Sequence, residues 1–112
     1  MPWQFGTSVG VTNDEANYVD LKRMTRTRQG THKVWVKSFS LKHVEVKDHL
    51  LFCTLRLWEI NCGERMMQLV SFVQYAPDGN VLDSEFSQGD KWQDVVPEST
   101  GEAIFDAVCK KR

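Results

Sequence analysis

The chain has 112 residues, enough for a single domain with one hydrophobic core and too few for two. Its formal net charge is −1, so the overall electrostatics favour neither nucleic acid nor a membrane surface as a partner. The longest apolar run, Leu50 to Cys53, is far shorter than a membrane-spanning helix. We therefore expect one domain over residues 1–112, with no nucleic-acid partner and no transmembrane segment.

The first half of the chain divides into extended segments separated by polar turns. Residues 3–11 suit a first edge strand, and a second strand is expected to begin at 17–20. Residues 31–39 are rich in β-branched and aromatic types, which favour a strand. The segment 40–48 alternates imperfectly between apolar and polar residues, which predicts a loop or a mobile connection.

The strongest strand signal lies at 50–62. Alternation predicts Leu51, Cys53, Leu55 and Leu57 on one face and Thr54, Arg56 and Trp58 on the other. Residues 65–75 are expected to pair with this strand across a turn at 62–64, with Met67, Leu69, Val73 and Tyr75 on one face. A loop at 76–80, with a proline and a glycine, leads into a last strand from Val81.

A helix is predicted after Pro97. Ser99 and Glu102 have the spacing of a capping box, in which the hydroxyl caps the helix and the glutamate reaches back. An apolar stripe follows at helical spacing: Ala103, Ile104, Ala107 and Val108. Basic residues close the chain, where they complement the helix dipole: Lys110, Lys111 and Arg112. Many strands and one late helix predict an α+β fold, a single antiparallel β-sheet of about five to six strands with a C-terminal α-helix packed on one face.

Three cysteines allow at most one intramolecular pair. Cys62 ends a predicted strand and Cys109 ends the predicted helix, so a bond between them would attach the helix to the sheet in an oxidising compartment. Cys53 lies among leucines and is the expected free thiol. The alternative is a cytosolic protein with three buried thiols. The sequence starts without a signal peptide, which fits either a cytosolic protein or a mature form with a replacement Met1, and the cysteines favour the mature form.

No residues have the arrangement of a known catalytic or cofactor site. None of the three histidines is set beside a cysteine in a familiar nucleophilic motif, and no glycine-rich phosphate or dinucleotide loop is present. His43, Glu45, Asp48 and His49 lie close in sequence, but an extended segment turns Asp48 away from His43 and Glu45. We therefore expect no enzyme activity, no cofactor and no metal.

A basic stretch is the candidate ligand-binding site. It contains Lys22, Arg23, Arg26 and Arg28, and Lys33 and Lys37 follow. On a regular strand, Arg26 and Arg28 share a face with Lys22 and Met24, which would suit an acidic polymer such as a sulfated glycan. The alternative is a solvated hairpin whose cations protect a sheet edge from aggregation.

Several motifs along the chain resemble those of the surface-adhesin protein E family of Gram-negative bacteria. The matching residues are Trp3, Tyr18, Asp20, Val34-Trp35-Val36, Glu59-Ile60-Asn61-Cys62, Arg65, Tyr75, Gly79, Trp92, Val96-Pro97, Ser99, Gly101-Glu102 and Val108-Cys109. The chain departs from the pattern in Asn61, where the family has Asp, in the extra Cys53 and in the missing export signal.

The resemblance implies an exported domain in the periplasm or at the cell surface, with a disulfide between Cys62 and Cys109. The member that names the family binds host extracellular-matrix proteins. We accordingly expect a non-enzymatic binding domain, an adhesin for matrix or other macromolecular ligands, with a protein or an acidic polysaccharide as partner. The alternative is a periplasmic or envelope structural or assembly protein that binds another bacterial protein. Fold and function separate easily, and the resemblance supplies no catalytic residues.

Overall fold

The chain folds as a twisted antiparallel sheet with one helix on one face. A computed structural model describes residues 6–12, 14–86 and 91–110. The strands are β1 (Thr7–Val11), β2 (Glu15–Arg26), β3 (His32–Ser40), β4 (Glu45–Val46), β5 (His49–Leu50), β6 (Cys53–Asn61), β7 (Met66–Tyr75), β8 (Val81–Phe86) and β9 (Gln93–Asp94), and the helix is α1 (Thr100–Cys109). The predicted α+β class is confirmed. Trp3, Asn13, Lys111 and Arg112 lie outside the described residues.

The main sheet has the strand order β1-β2-β3-β6-β7-β8, and every neighbouring pair is antiparallel. The short β9 pairs with the start of β7, on the same edge as β8. The connection between β3 and β6 contains a separate hairpin, β4–β5, where a loop was predicted. Its two turn residues, Lys47 and Asp48, have φ angles of 52° and 68°. A two-residue hairpin turn requires such angles, but Lys-Asp lacks the glycine that usually signals one.

The hydrophobic core lies between the sheet and α1. Its most buried members are Val19, Val34, Val36, Ile60, Met67, Ile104, Phe105 and Val108. The prediction that Ile104 and Val108 pack on the sheet is confirmed, since they are 3% and 1% exposed. Phe105 is equally buried, whereas Ala103 and Ala107 of the predicted stripe are only half-buried.

A bulge in β7 changes which side chains share a face. Leu57 pairs with Ser71, but Trp58 pairs with Leu69, so Val70 has no partner of its own. Met67 and Leu69 therefore lie opposite Ile60 and Trp58 on the helix side, whereas Val73 and Tyr75 lie opposite Leu55 and Cys53 on the other side. The prediction that these four β7 residues share one face is wrong, because the extra residue reverses the alternation.

The N-terminus of α1 is capped as predicted, with one difference. The Ser99 hydroxyl accepts a hydrogen bond of 3.1 Å from the Glu102 backbone N–H. Glu102 Oε1 accepts one of 2.9 Å from the backbone N–H of Glu98 rather than that of Ser99. Both bonds satisfy backbone donors at the start of the helix, where no intrahelical acceptor exists.

The other end of α1 is joined to the β6–β7 turn. Cys62 and Cys109 form a disulfide across 47 positions, with their Cα atoms 5.7 Å apart. Within the same turn, the Arg65 guanidinium lies 4.8 Å from the centre of the Phe105 ring and 3.5 Å from Glu102 Oε2. The Asn61 side-chain oxygen accepts from the Glu64 N–H at 3.0 Å, and an aspartate there has an oxygen for the same bond. The turn and the helix are thus joined by one covalent bond and two polar contacts.

Cys53 is the free thiol, as predicted, and it is 2% exposed. It lies opposite Phe39 on the face of the sheet away from the helix. Burial raises the pKa of the Cys53 thiol, and the charge of Lys37 opposes part of that rise.

Candidate ligand-binding surface

The basic stretch begins in a large bulge of β2. Asp20 pairs with Trp35 and Thr25 with Lys33, so four residues of β2 face one residue of β3. Two of the four, Leu21 and Met24, pack against the hydrophobic core, while Lys22 and Arg23 between them are exposed. The apolar residues therefore anchor the bulge and present the two cations to solvent.

Arg23 is the one cation of the stretch that has an ion pair with another residue of the described chain. Its Nε lies 3.5 Å from Asp20 Oδ2, and its side chain is 59% exposed, against 10% for that of Asp20. An ion pair with an exposed partner stabilises a protein little, so we assign it mainly a role in orienting Arg23.

The stretch ends in the ordered turn between β2 and β3. Arg26 closes β2, and Arg28 is exposed within the turn. The Thr27 N–H donates to the Thr31 carbonyl at 2.8 Å, and the two threonine hydroxyls lie 2.6 Å apart. The Thr31 hydroxyl in turn donates to Glu59 Oε2 at 2.6 Å. This chain of hydrogen bonds ties the turn to β6 and restricts the backbone of the turn that carries Arg28.

The arrangement differs from the regular strand that the sequence predicted. The bulge breaks the alternation, so Met24 packs against the core while Lys22 is exposed, and Arg28 lies in a turn rather than on a strand face. Lys33 is half-buried beside this surface, opposite Glu59. Lys37 is 5% exposed, with its ammonium 4.9 Å from the Phe39 ring centre, and it does not belong to the surface.

We define the cationic surface as Lys22, Arg23, Arg26 and Arg28. Among residues 6–12, 14–86 and 91–110, no carboxylate lies within 4.0 Å of the cationic groups of Lys22, Arg26 or Arg28. From residue 20 to residue 28 the four cations and Asp20 sum to a charge of +3, in a chain of net charge −1. The surface is therefore positive although the protein is not.

The surface also lies on an edge of the sheet. β1 pairs with residues 16–19 of β2, and no described strand pairs with Lys22 to Arg26 on that side of β2. This location fits both interpretations of the cations, as a ligand-binding surface and as a protection of the sheet edge against aggregation. The Thr27–Thr31–Glu59 hydrogen bonds, which sequence analysis missed, restrict the turn that carries Arg28 in a way that edge protection does not require.

The four potential metal ligands of the histidine-containing segment lie just before β4, in β4, in the turn after it and in β5. His43 Nε2 lies 2.9 Å from Glu45 Oε2, and both side chains are more than half exposed, while Asp48 lies in the β4–β5 turn and His49 begins β5. Over the described part of the chain, no three potential ligands among His, Cys, Asp and Glu converge. No helix within the same residues has the length and apolar character that crossing a membrane requires.

The fold and the surface define a small disulfide-bonded α+β domain with a positive sheet edge. The sequence model of the family described as Surface-adhesin protein E matches residues 7–110, which is nearly the whole chain. The protein belongs to this family, as the motifs predicted, and the membership supports a surface adhesin-like role. No curated protein and no solved structure matches the chain significantly.

Proposed function

We propose that the protein is an exported, non-enzymatic binding domain that attaches to an acidic macromolecule through the cationic surface. The observation that carries this proposal is the local charge of +3 from residue 20 to residue 28. Family membership supports an adhesin-like role, and the disulfide fits an oxidising location such as the periplasm or the cell surface.

The chemistry of the surface favours sulfate and carboxylate groups. Three of its four cations are arginines, and a guanidinium donates two parallel hydrogen bonds to such an anion. Acidic polysaccharides and acidic segments of matrix proteins both present these groups. At physiological salt, charges in solution are screened beyond about 8 Å, so binding through this surface should weaken steeply as salt is added.

The test is retention on a heparin column and on an immobilised matrix protein across a salt gradient. The variant R23S/R26S/R28S should elute at much lower salt than the parent, with a nearly unchanged melting curve, because all three side chains are exposed. The matched control is K42S/K47S/K110S, since each variant removes three positive charges and changes the formal net charge from −1 to −4.

The control should bind much as the parent does, because its three lysines lie elsewhere and each has a carboxylate within 4.0 Å. Equal losses in the two variants would mean that net charge, not this surface, governs retention. A parent that is not retained even at low salt would refute the assignment.

A second candidate function is assembly with another bacterial envelope protein. The observation in its favour is a group of exposed apolar side chains between β3 and β6: Leu41, Val44, Leu50 and Phe52. They are four of the eight large apolar residues exposed in the described chain, and such patches are common at protein interfaces. Pull-down from envelope extract, compared with pull-down from purified matrix proteins, separates the two functions.

A further inference from the structure

A cleft of about 390 Å³ lies between the β4–β5 hairpin and the β7–β8 turn. Its volume is within the range of small-molecule sites. The cationic surface lies near the start of β3, and the cleft lies near the end of the same strand. Because β3 has nine residues, the two sites are roughly 25 Å apart along the strand. The cleft is thus separate from the site of the proposed function.

The hairpin forms a wall with cationic and donor groups. Lys47 and His49 line the cleft. Lys47 Nζ lies 3.4 Å from Asp83 Oδ1, and this ion pair joins the hairpin to β8. The Lys47 side chain remains 65% exposed and the ammonium has three donors, so it retains donors for a ligand.

The β7–β8 turn forms a second wall, with acidic and amide groups. Asp78 Oδ1 accepts from the Asn80 N–H at 2.9 Å, and Oδ2 accepts from the Asn80 side-chain amide at 3.0 Å. These bonds orient the carboxylate and leave acceptor sites on both oxygens. The aliphatic part of the lining consists of Ala76, which is buried, Leu82, which is half-buried, and Val81, which is 57% exposed.

We propose that this cleft binds a small zwitterion with an aliphatic body, of the class of the aliphatic α-amino acids. The ligand carboxylate would lie against Lys47 and His49, its ammonium against Asp78, and its side chain on Val81 and Leu82. A simple anion of the same shape meets repulsion from Asp78, and a simple amine meets repulsion from Lys47. A ligand that carries both charges complements both walls.

Three probes of one shape separate these contributions. L-leucine carries both charges, 4-methylpentanoate lacks the ammonium, and 3-methylbutylamine lacks the carboxylate. Titrated into ¹⁵N-labelled protein at pH 7 and constant ionic strength, leucine should shift amide signals of residues 45–50 and 76–83 saturably. It should bind about three- to tenfold more tightly than either partial probe, the range expected for one added hydrogen bond of ordinary strength at a solvent-exposed site.

Variants assign each charge to its wall. Lys47→Gln should weaken leucine and 4-methylpentanoate but not 3-methylbutylamine, and Asp78→Asn should weaken leucine and 3-methylbutylamine but not 4-methylpentanoate. Asp78→Asn keeps an oxygen for the Asn80 N–H, so the turn is preserved. Lys42→Gln is the control, because Lys42 lies on the same connection and pairs with Asp14 at 2.7 Å.

The control should bind leucine as the parent does. The proposal is overturned if leucine causes no saturable shift up to about 100 mM, or if either partial probe binds as tightly as leucine. It is also overturned if Lys42→Gln weakens leucine binding as much as Lys47→Gln does. Heparin retention of the same samples tests the cationic surface separately, so failure at one site is distinguishable from failure at the other.

Discussion

Replacing Ile104 by alanine should test whether α1 is an integral part of the core. Ile104 is 3% exposed and belongs to the cluster formed by the helix and the sheet. The substitution removes buried apolar carbons and leaves a cavity in the cluster to which Val19, Val34 and Val36 also belong. Valine side chains have few rotamers on a strand, so the site has little freedom to collapse.

The expected loss is about 2–4 kcal/mol, the usual range when a buried isoleucine becomes alanine. A domain of this size is stable by about 5–15 kcal/mol, so the loss is a large fraction of the total. Urea denaturation followed by tryptophan fluorescence should show a lower midpoint with an unchanged slope, because the surface exposed on unfolding hardly changes.

The control is Leu41→Ala, which truncates a large aliphatic side chain that is 52% exposed. It should change the stability by no more than about 0.5 kcal/mol. An Ile104→Ala midpoint as high as that of the parent would show that α1 does not dock on the sheet, and the assignment of the core would be wrong.

Three further predictions concern the cysteines and the helix cap. Protein unfolded without reductant should contain one free thiol per chain, whereas three would disprove the Cys62–Cys109 bond. Reduction of that bond should lower the free energy of unfolding by about 4 kcal/mol in the chain-entropy model, because the two cysteines are 47 positions apart. Because burial raises the pKa of the Cys53 thiol from its ordinary 9.0, the folded state favours the neutral form, and the resulting stabilisation should be lost as pH rises toward the folded pKa. Cys53→Ala should lack this alkaline decline, and equal declines in both proteins would exclude Cys53 as the cause. Ser99→Ala should cost about 1 kcal/mol in urea denaturation and Ser99→Asp little, since aspartate also caps; equal losses would contradict a capping role.

Features that depend on local signals were predictable from the sequence. The cap at Ser99 and the burial of Ile104 and Val108 follow from residue spacing along one helix. The pairing of Cys62 with Cys109 follows from their places at the ends of two recognisable elements, together with the family pattern. Each of these signals is contained within a few residues or within a motif.

Features that depend on strand register were not predictable. Val70 has no partner in β6, and this extra residue places Met67 on the helix side and Val73 on the other. Alternation assumes a regular ladder, and nothing in the β7 sequence marks the point at which the ladder slips. The hairpin at Lys47-Asp48 was missed for a similar reason, since its turn lacks the usual glycine.

The sequence by itself determined the inventory of this protein: its α+β class, its one disulfide pair, its capped helix and a group of four cations. The tertiary structure alone decided what those cations form. The bulge of β2 separates Lys22 from Met24, a hydrogen-bonded turn carries Arg28, and Asp20 pairs with Arg23. The physical reason is that charge and secondary-structure propensity are properties of single residues, whereas exposure and ion pairing depend on which strands are neighbours and in which register. Long-range packing determines those neighbours and that register.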